Sequence, residues 1–193
     1  MAARWTSLWW RFRGVDASRP GMAKCYQPCG QEVHDRVEAL VRKYHPELEK
    51  AKVRVDLLFV ADPDAADKEA PKPVLSHHGV PAIAMARIVP LKDRVKGSGD
   101  GEILIDMARY EEMDPAERDA LLDHEMEHFE VKTKEMKPKL DTHGRPTLKI
   151  RKHDYDFGWF ESVAKRHKEN SVEVGQAHRL WTMRQTFFAF VDG

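Results

Sequence analysis

The most constraining feature of this chain is an H-E-x-x-H sequence at residues 124–128, which falls inside a clearly signalled helix. Asp114 is a candidate N-cap, Pro115 takes the first helical position, and Glu117 completes a D-x-x-E capping pattern. Apolar residues then recur at helical spacing, so the helix is predicted to run to about Val131.

The spacing of this motif suits a metal ion. Residues four apart lie on one face of a helix, so His124 and His128 can bind the same ion. Glu125 lies one step round the helix, within reach of a metal-bound water. Zinc lowers the pKa of that water toward neutrality, and a carboxylate can accept its proton during attack on a carbonyl carbon. The motif predicts Zn²⁺ as cofactor and Glu125 as general base; the alternative is a surface helix with two solvated histidines.

A catalytic zinc ion usually has three protein ligands and an open position for water. His153 is the preferred third ligand, because it is predicted to open the next helix after a hairpin that turns the chain back. Glu161 is its strongest rival, since many H-E-x-x-H proteins take a glutamate from the following helix. His143 in the hairpin turn and His167 are weaker candidates for the same position.

Hydrophobic periodicity elsewhere predicts an α+β fold class built from short elements. We expect an early amphipathic helix at residues 31–44 and three strands at 52–61, 80–89 and 102–107. A hairpin is expected at 137–151, with its turn at His143-Gly144, and a final helix from about 154–156 onward. Residues 62–79 and 92–101 are predicted to be loops.

The length of 193 residues indicates one domain with terminal segments. We place the domain at residues 30–170. Residues 1–29 are aromatic and basic, and are predicted to form a flexible N-terminal extension; Arg11 and Arg13 interrupt the apolar run that a secretory signal needs. Residues 171–193 are predicted to pack on the domain or to be partly disordered.

Composition excludes several classes of protein. Lys plus Arg and Asp plus Glu are equal, at 32 each, so global charge does not steer the chain toward nucleic acid or acidic membranes. No run approaches the roughly 20 apolar residues of a membrane-spanning helix. Cys25 and Cys29 are too few for a disulfide scaffold or a four-cysteine zinc site, which favours a reducing, cytoplasmic location.

Residues 153–157 fit an H-D-x-x-F pattern and resemble the third-ligand segment of SprT-like and WLM-type zinc proteases. Over residues 31–168 the chain resembles more closely the phage metallopeptidase family, in segments 43–46, 57–59, 103–105 and 120–125. This resemblance implies a minimal zincin-like domain with a small mixed sheet, an N-terminal helix, the H-E-x-x-H helix, a β-hairpin and a following helix. It also implies peptidase activity on a polypeptide substrate.

Zinc-binding histidines usually donate their second N–H to a carboxylate or a carbonyl. Asp123, Glu127, Asp154 and Asp156 are candidates for this role, although Asp154 or Asp156 is more simply the cap of the last helix. Tyr155 or His167 could stabilise an oxyanion, and the spacing selects neither.

Three functions compete. The leading hypothesis is a zinc-dependent metallopeptidase. The second is a nucleic-acid-associated protease or binding module, in which the basic stretch Lys132–Lys152 makes weak contacts with phosphates; a solvated hairpin face is the simpler interpretation of these charges. The third is a metal-binding but inactive interaction domain. Metal content and the dependence of turnover on Glu125 distinguish the first from the third, and salt-dependent DNA binding would identify the second.

Overall fold

The computed structural model describes residues 24–63, 74–77, 80–154 and 159–179. Its helices are α1 (Gln31–Tyr44), α2 (Pro46–Lys50), α3 (Leu91–Val95), α4 (Met107–Glu112), α5 (Pro115–Glu127) and α6 (Glu161–His167); a 3₁₀ turn at Lys168–Asn170 and helical residues 172–179 follow. The strands are β1 (Cys25–Pro28), β2 (Val55–Ala61), β3 (Leu75–His77), β4 (Val80–Ala82), β5 (Ala84–Ile88), β6 (Gly101–Asp106), β7 (Phe129–Val131), β8 (Thr133–Lys134), β9 (Lys137–Pro138) and β10 (Leu148–Ile150).

A four-stranded mixed sheet organises the domain, in the order β1-β2-β6-β5. The central strands β2 and β6 are parallel, with Leu57 opposite Ile103, whereas β1 and β5 pair antiparallel to their neighbours. Two-stranded sheets form from β3 with β4, β7 with β10, and β8 with β9. The predicted α+β class and its small mixed sheet are confirmed.

The core fixes α5 against this sheet. Because side chains alternate between the faces of a strand, Ile103 and Ile105 enter the main core and Leu104 enters a second cluster on the other face. The main core also holds the buried faces of α1 and α5, including Val37 and Leu122. The predicted helix at residues 31–44 is confirmed at both ends. This packing fixes the position of α5 and therefore of the two histidines that it carries.

Helix α5 begins where the sequence predicts. Asp114 accepts hydrogen bonds from the backbone N–H groups of Ala116 and Glu117, and the Glu117 side chain accepts from the Asp114 N–H, which completes a capping box. Its predicted end at Val131 is wrong. The helix stops at Glu127, because the next residues form β7 and pair with β10.

Several other boundaries differ from the prediction. The expected strand at 80–89 is divided into β4, which pairs with β3, and β5, which pairs with β6. The predicted loops contain β3 and α3. The helix expected from 154–156 starts at Glu161 instead, and residues 155–158 lie outside the described part.

The predicted turn at His143-Gly144 is confirmed: Gly144 has φ +74°, a conformation that favours glycine. The Asp141 carboxylate accepts from the N–H groups of His143 and Arg145. The strand pairing expected beside this turn is limited to an isolated antiparallel bridge of Leu140 with Pro146. Farther from the turn, β10 pairs with β7 and β9 pairs with β8.

The described parts of both terminal segments contain regular secondary structure. Residues 25–28 of the predicted N-terminal extension form β1, while residues 1–23 lie outside the described part. Both cysteines are free thiols, and burial raises the pKa of Cys29 to about 12. Residues 172–179 are helical, and residues 180–193 lie outside the described part. Within the described residues, no helix combines the length and apolar character needed to cross a membrane.

Packing at Gly101 gives a stability prediction. A Cβ at this position would lie 2.4 Å from Cε1 of Phe129, a core residue that is 3% exposed. Gly101→Ala should therefore lower the free energy of unfolding by about 1–3 kcal/mol, as measured by urea denaturation. Gly175→Ala is the control, because no described atom outside its own helix backbone lies within 4 Å of its Cβ position. Equal unfolding midpoints for the two variants would contradict this packing.

Candidate metal centre

Three histidine side chains converge at the end of α5. Ligand atoms of His124, His128 and His153 all lie within 4.8 Å of one another. Their ring centroids are 5.3, 5.2 and 4.6 Å apart, and the two Nε2 atoms of His124 and His153 are separated by 3.3 Å. The structure thus brings the three predicted ligands together.

Backbone pairing explains how His153 reaches α5. Strand β7 begins directly after the helix, and β10 returns antiparallel to it, with Ile150 opposite Phe129. The next residue, Arg151, donates its N–H to the carbonyl of His128 at 2.8 Å. Because His153 follows two residues later, the returning chain places it beside the two helical histidines.

The geometry of the cluster fits a tetrahedral metal ion. Two nitrogen ligands that each lie about 2.0–2.1 Å from a tetrahedral zinc ion are about 3.3 Å apart. The Nδ1 atoms of His124 and His128 already have acceptors, in the carboxylate of Glu173 at 2.6 Å and the carbonyl of Arg151 at 2.9 Å. Each ring therefore keeps an Nε2 lone pair for a metal, and imidazole nitrogen is a common zinc donor.

The rival candidates for the third ligand lie elsewhere. Glu161 is exposed on α6 and forms an ion pair with Lys165. His143 is exposed in the turn after Asp141. His167 hydrogen-bonds to the Asp123 carboxylate at 2.8 Å. Among the described residues, none of these three joins the histidine cluster.

Glu125 lies beside the cluster and is 4% exposed. Burial raises its pKa above the ordinary value, while nearby His124 and a hydrogen bond from the backbone N–H of Ala86 on β5 oppose that shift. Its Oε2 atom has no hydrogen-bond partner among the residues that the structure describes. One carboxylate oxygen of Glu125 therefore keeps unused hydrogen-bond acceptor capacity.

The histidines differ in their electrostatic environment. Burial lowers the pKa of His128 to about 4, and it also lowers the pKa of His153. Burial acts in the same direction on His124, but its hydrogen bond to Glu173 and the neighbouring carboxylates raise its pKa overall. For Glu173, burial raises the pKa, and the hydrogen bond from His124 outweighs it.

Two residues of this site were not predicted from the sequence. Phe160 is fully buried, and its ring centroid lies 4.9, 4.8 and 4.9 Å from those of His124, His128 and His153. It covers one side of all three imidazoles. Glu173 lies 49 positions beyond His124. No local signal in the sequence marks either residue as part of a metal site.

The carboxylates expected to accept from the ligand histidines form hydrogen bonds with other residues. Asp123 is fully buried and accepts hydrogen bonds from His45, Arg166 and His167. Burial raises its pKa, but these three donors outweigh that effect and hold the pKa well below the ordinary value. Glu127 binds Arg166 as well, at 3.2 Å.

This second group, formed by His45, Asp123 and Glu127, also has metal-ligand spacing. The Arg166 guanidinium donates to both carboxylates and supplies the positive charge that a cation would. The group therefore acts as a charge network that holds α6 and the end of α1 against α5. Asp154 binds Arg151 and caps α6 through the Glu161 N–H, while Tyr155 and Asp156 lie outside the described residues.

Part of the basic stretch Lys132–Lys152 has internal partners. Lys149 pairs with Glu130 at 2.8 Å, and Arg145 pairs with buried Asp100 at 2.9 Å. The side chains from residue 132 to residue 140 are exposed. Nucleic-acid contact through this stretch stays a prediction.

The fold and the site together define a class of protein: a small α+β domain with a candidate metal centre on an H-E-x-x-H helix. The family model described as "Putative phage metallopeptidase" matches residues 26–182. The chain belongs to this family, which confirms the resemblance found in the sequence. Membership implies a metal ion and a polypeptide substrate. No curated protein and no solved structure matches the chain.

The buried charge network beneath the site makes a prediction about stability. Asp123→Asn removes the charge that faces His45, Arg166 and His167, and should lower the free energy of unfolding by about 3 kcal/mol or more. Asp119→Asn is the matched control on the same helix, because its ion pair with Arg36 is partly exposed and should be worth less than about 1 kcal/mol. Guanidinium denaturation measures both variants, and similar losses would argue against the network.

Proposed function

We propose that this protein is a zinc-dependent metallopeptidase that hydrolyses peptide bonds. Its zinc ligands are His124, His128 and His153, and Glu125 is its general base. The observation that carries the proposal is the convergence of three imidazoles, within 4.8 Å of one another, beside a buried carboxylate with an unpartnered oxygen. Membership of the metallopeptidase family supports the class of activity.

A zinc ion at this site would polarise the substrate carbonyl as a Lewis acid and lower the pKa of a water molecule there. The protein's own residues hold the ligands and move the proton. The Ala86 N–H holds the carboxylate of Glu125 in place, and the free Oε2 can accept the proton of the attacking water. The same oxygen can then deliver a proton to the leaving amine.

Orientation of the imidazoles comes from their outer nitrogens and from packing. The Arg151 carbonyl and the Glu173 carboxylate accept the Nδ1–H groups of His128 and His124, which sets both tautomers. Phe160 packs against all three rings and closes one side of the cluster to water. The ligand atoms are therefore held before a metal binds, which lowers the entropy lost on binding.

The ligand set can be tested by metal analysis. Purified protein should carry about one zinc ion per chain. His153→Ala and His124→Ala should reduce zinc retention by similar amounts, whereas Glu161→Ala should retain zinc like the parent. Loss of zinc in the Glu161 variant but not in the His153 variant would identify a His-His-Glu site instead. Absence of any transition metal after supplementation would refute the metal centre.

The role of Glu125 can be tested with Glu125→Gln. Glutamine keeps the size of the side chain and has a similar helix propensity, but it cannot accept a proton at neutral pH. The variant should bind zinc and unfold like the parent, while hydrolysis of casein or of a peptide library falls about 10²–10⁴-fold. Glu130→Gln is the control, since Glu130 pairs with Lys149 at the surface and should keep full activity.

Two results would change the proposal. Equal cleavage by the parent and by Glu125→Gln, with zinc bound to both, would show that Glu125 is not the base. A parent that binds zinc and cleaves none of the substrates would support the inactive metal-binding domain.

A further inference from the structure

We propose that Glu173 is a positioning residue of the metal centre, and that helical residues 172–179 complete the site by holding its carboxylate against His124. This inference rests on the proposed function, because it assigns Glu173 a role toward a zinc ligand. It makes part of the segment 171–193 a component of the site rather than an appendage to the domain.

The contact between Glu173 and His124 fixes the state of the imidazole. The distance from Nδ1 of His124 to Oε1 of Glu173 is 2.6 Å, and the two side chains are 14% and 2% exposed. An ionised carboxylate can only accept, so Nδ1 carries the hydrogen. The lone pair of a neutral His124 ring is then on Nε2, the atom that faces His153 at 3.3 Å.

The hydrogen-bond acceptor of the His124 ring is stronger than that of the His128 ring. The Nδ1–H of His128 donates to a neutral carbonyl, that of Arg151, whereas the Nδ1–H of His124 donates to a full negative charge. A carboxylate at this position raises the basicity of an imidazole ligand. We therefore expect His124 to be the ligand whose binding strength depends most on a residue outside the cluster.

Within the described residues, few donors or positive charges offset the cost of burying the Glu173 carboxylate. Its Oε2 atom is buried and has no hydrogen-bond partner there; apart from His124, its donors are neutral backbone N–H groups, that of Phe160 at 3.5 Å from Oε1 and that of Glu173 itself. A buried charge is costly unless an opposite charge lies near. A cation bound on the Nε2 side of His124 would supply that charge through the imidazole.

The segment that carries Glu173 is anchored at this place. Ser171 caps its helix, since the Ser171 hydroxyl oxygen accepts from the Val174 N–H at 3.1 Å. Glu173 lies in the first turn, where the helix dipole favours a negative charge. The Trp159 Nε1–H donates to Oε1 of Gln176 at 2.6 Å, which ties the next turn to the residue before Phe160.

A purely structural role for Glu173 predicts different behaviour, and zinc affinity separates the two roles without an activity assay. Glu173→Gln should weaken zinc binding about 10–100-fold in a competition titration of the apoprotein against a chelating dye. The unfolding midpoint of the apoprotein should change little. Glu169→Gln is the matched control, because Glu169 lies exposed on the preceding 3₁₀ turn and should leave zinc affinity unchanged.

Cobalt gives a second readout. Co²⁺ bound to the parent should show the visible absorption of a tetrahedral site, and Glu173→Gln should shift that absorption. Parent-like zinc affinity together with a parent-like cobalt spectrum in Glu173→Gln would overturn the inference while the proposed function stands. Failure of the parent itself to bind zinc would overturn the proposed function.

A further variant covers the case in which Glu173→Gln does not fold. Glu173→Asp keeps the buried charge but shortens the side chain by one methylene, so it should fold and still bind zinc more weakly than the parent. Parent-like zinc affinity in this variant would then contradict the positioning role.

Discussion

The site depends on the antiparallel pairing of β7 with β10. Helix α5 alone can present two histidines, because residues four apart share a face. The third imidazole arrives because β7 begins immediately after the helix and β10 returns along it, with the Arg151 N–H bonded to the carbonyl of His128. Without that pairing His153 would have no defined place near α5. A backbone hydrogen-bond ladder of only three residue pairs thus sets the geometry of the ligand cluster.

Two buried carboxylates hold helix α5 on different sides. Asp123, on one side, binds His45, Arg166 and His167 and so joins α1 and α6 to α5. Glu173, from the segment after α6, binds His124 itself. The buried carboxylates near the ligands are therefore divided between scaffold and site: Asp123 fixes the helix, and Glu173 fixes a ring. Replacing the two should consequently have different effects, on unfolding in one case and on metal affinity in the other.

Elements with local determinants could be predicted from the sequence. The capping box at Asp114 and the periodicity of residues 31–44 predicted two helix starts correctly, since both signals lie inside or directly next to the helix that they define. The end of α5 depends on a partner strand about 20 residues away, so helical spacing overran into β7. His153 could be nominated from its position after a turn, whereas Glu173 could not, because only tertiary packing brings it to His124.

Every role proposed for the site requires that one metal ion binds between His124, His128 and His153. Anomalous diffraction at the zinc edge, from crystals of the zinc-loaded protein, tests this binding without any assumption about activity. We expect one strong peak per chain, about 2.0–2.1 Å from Nε2 of each of these histidines. A peak at the group formed by His45, Asp123 and Glu127, a peak at the cysteines, or no peak at all would contradict it.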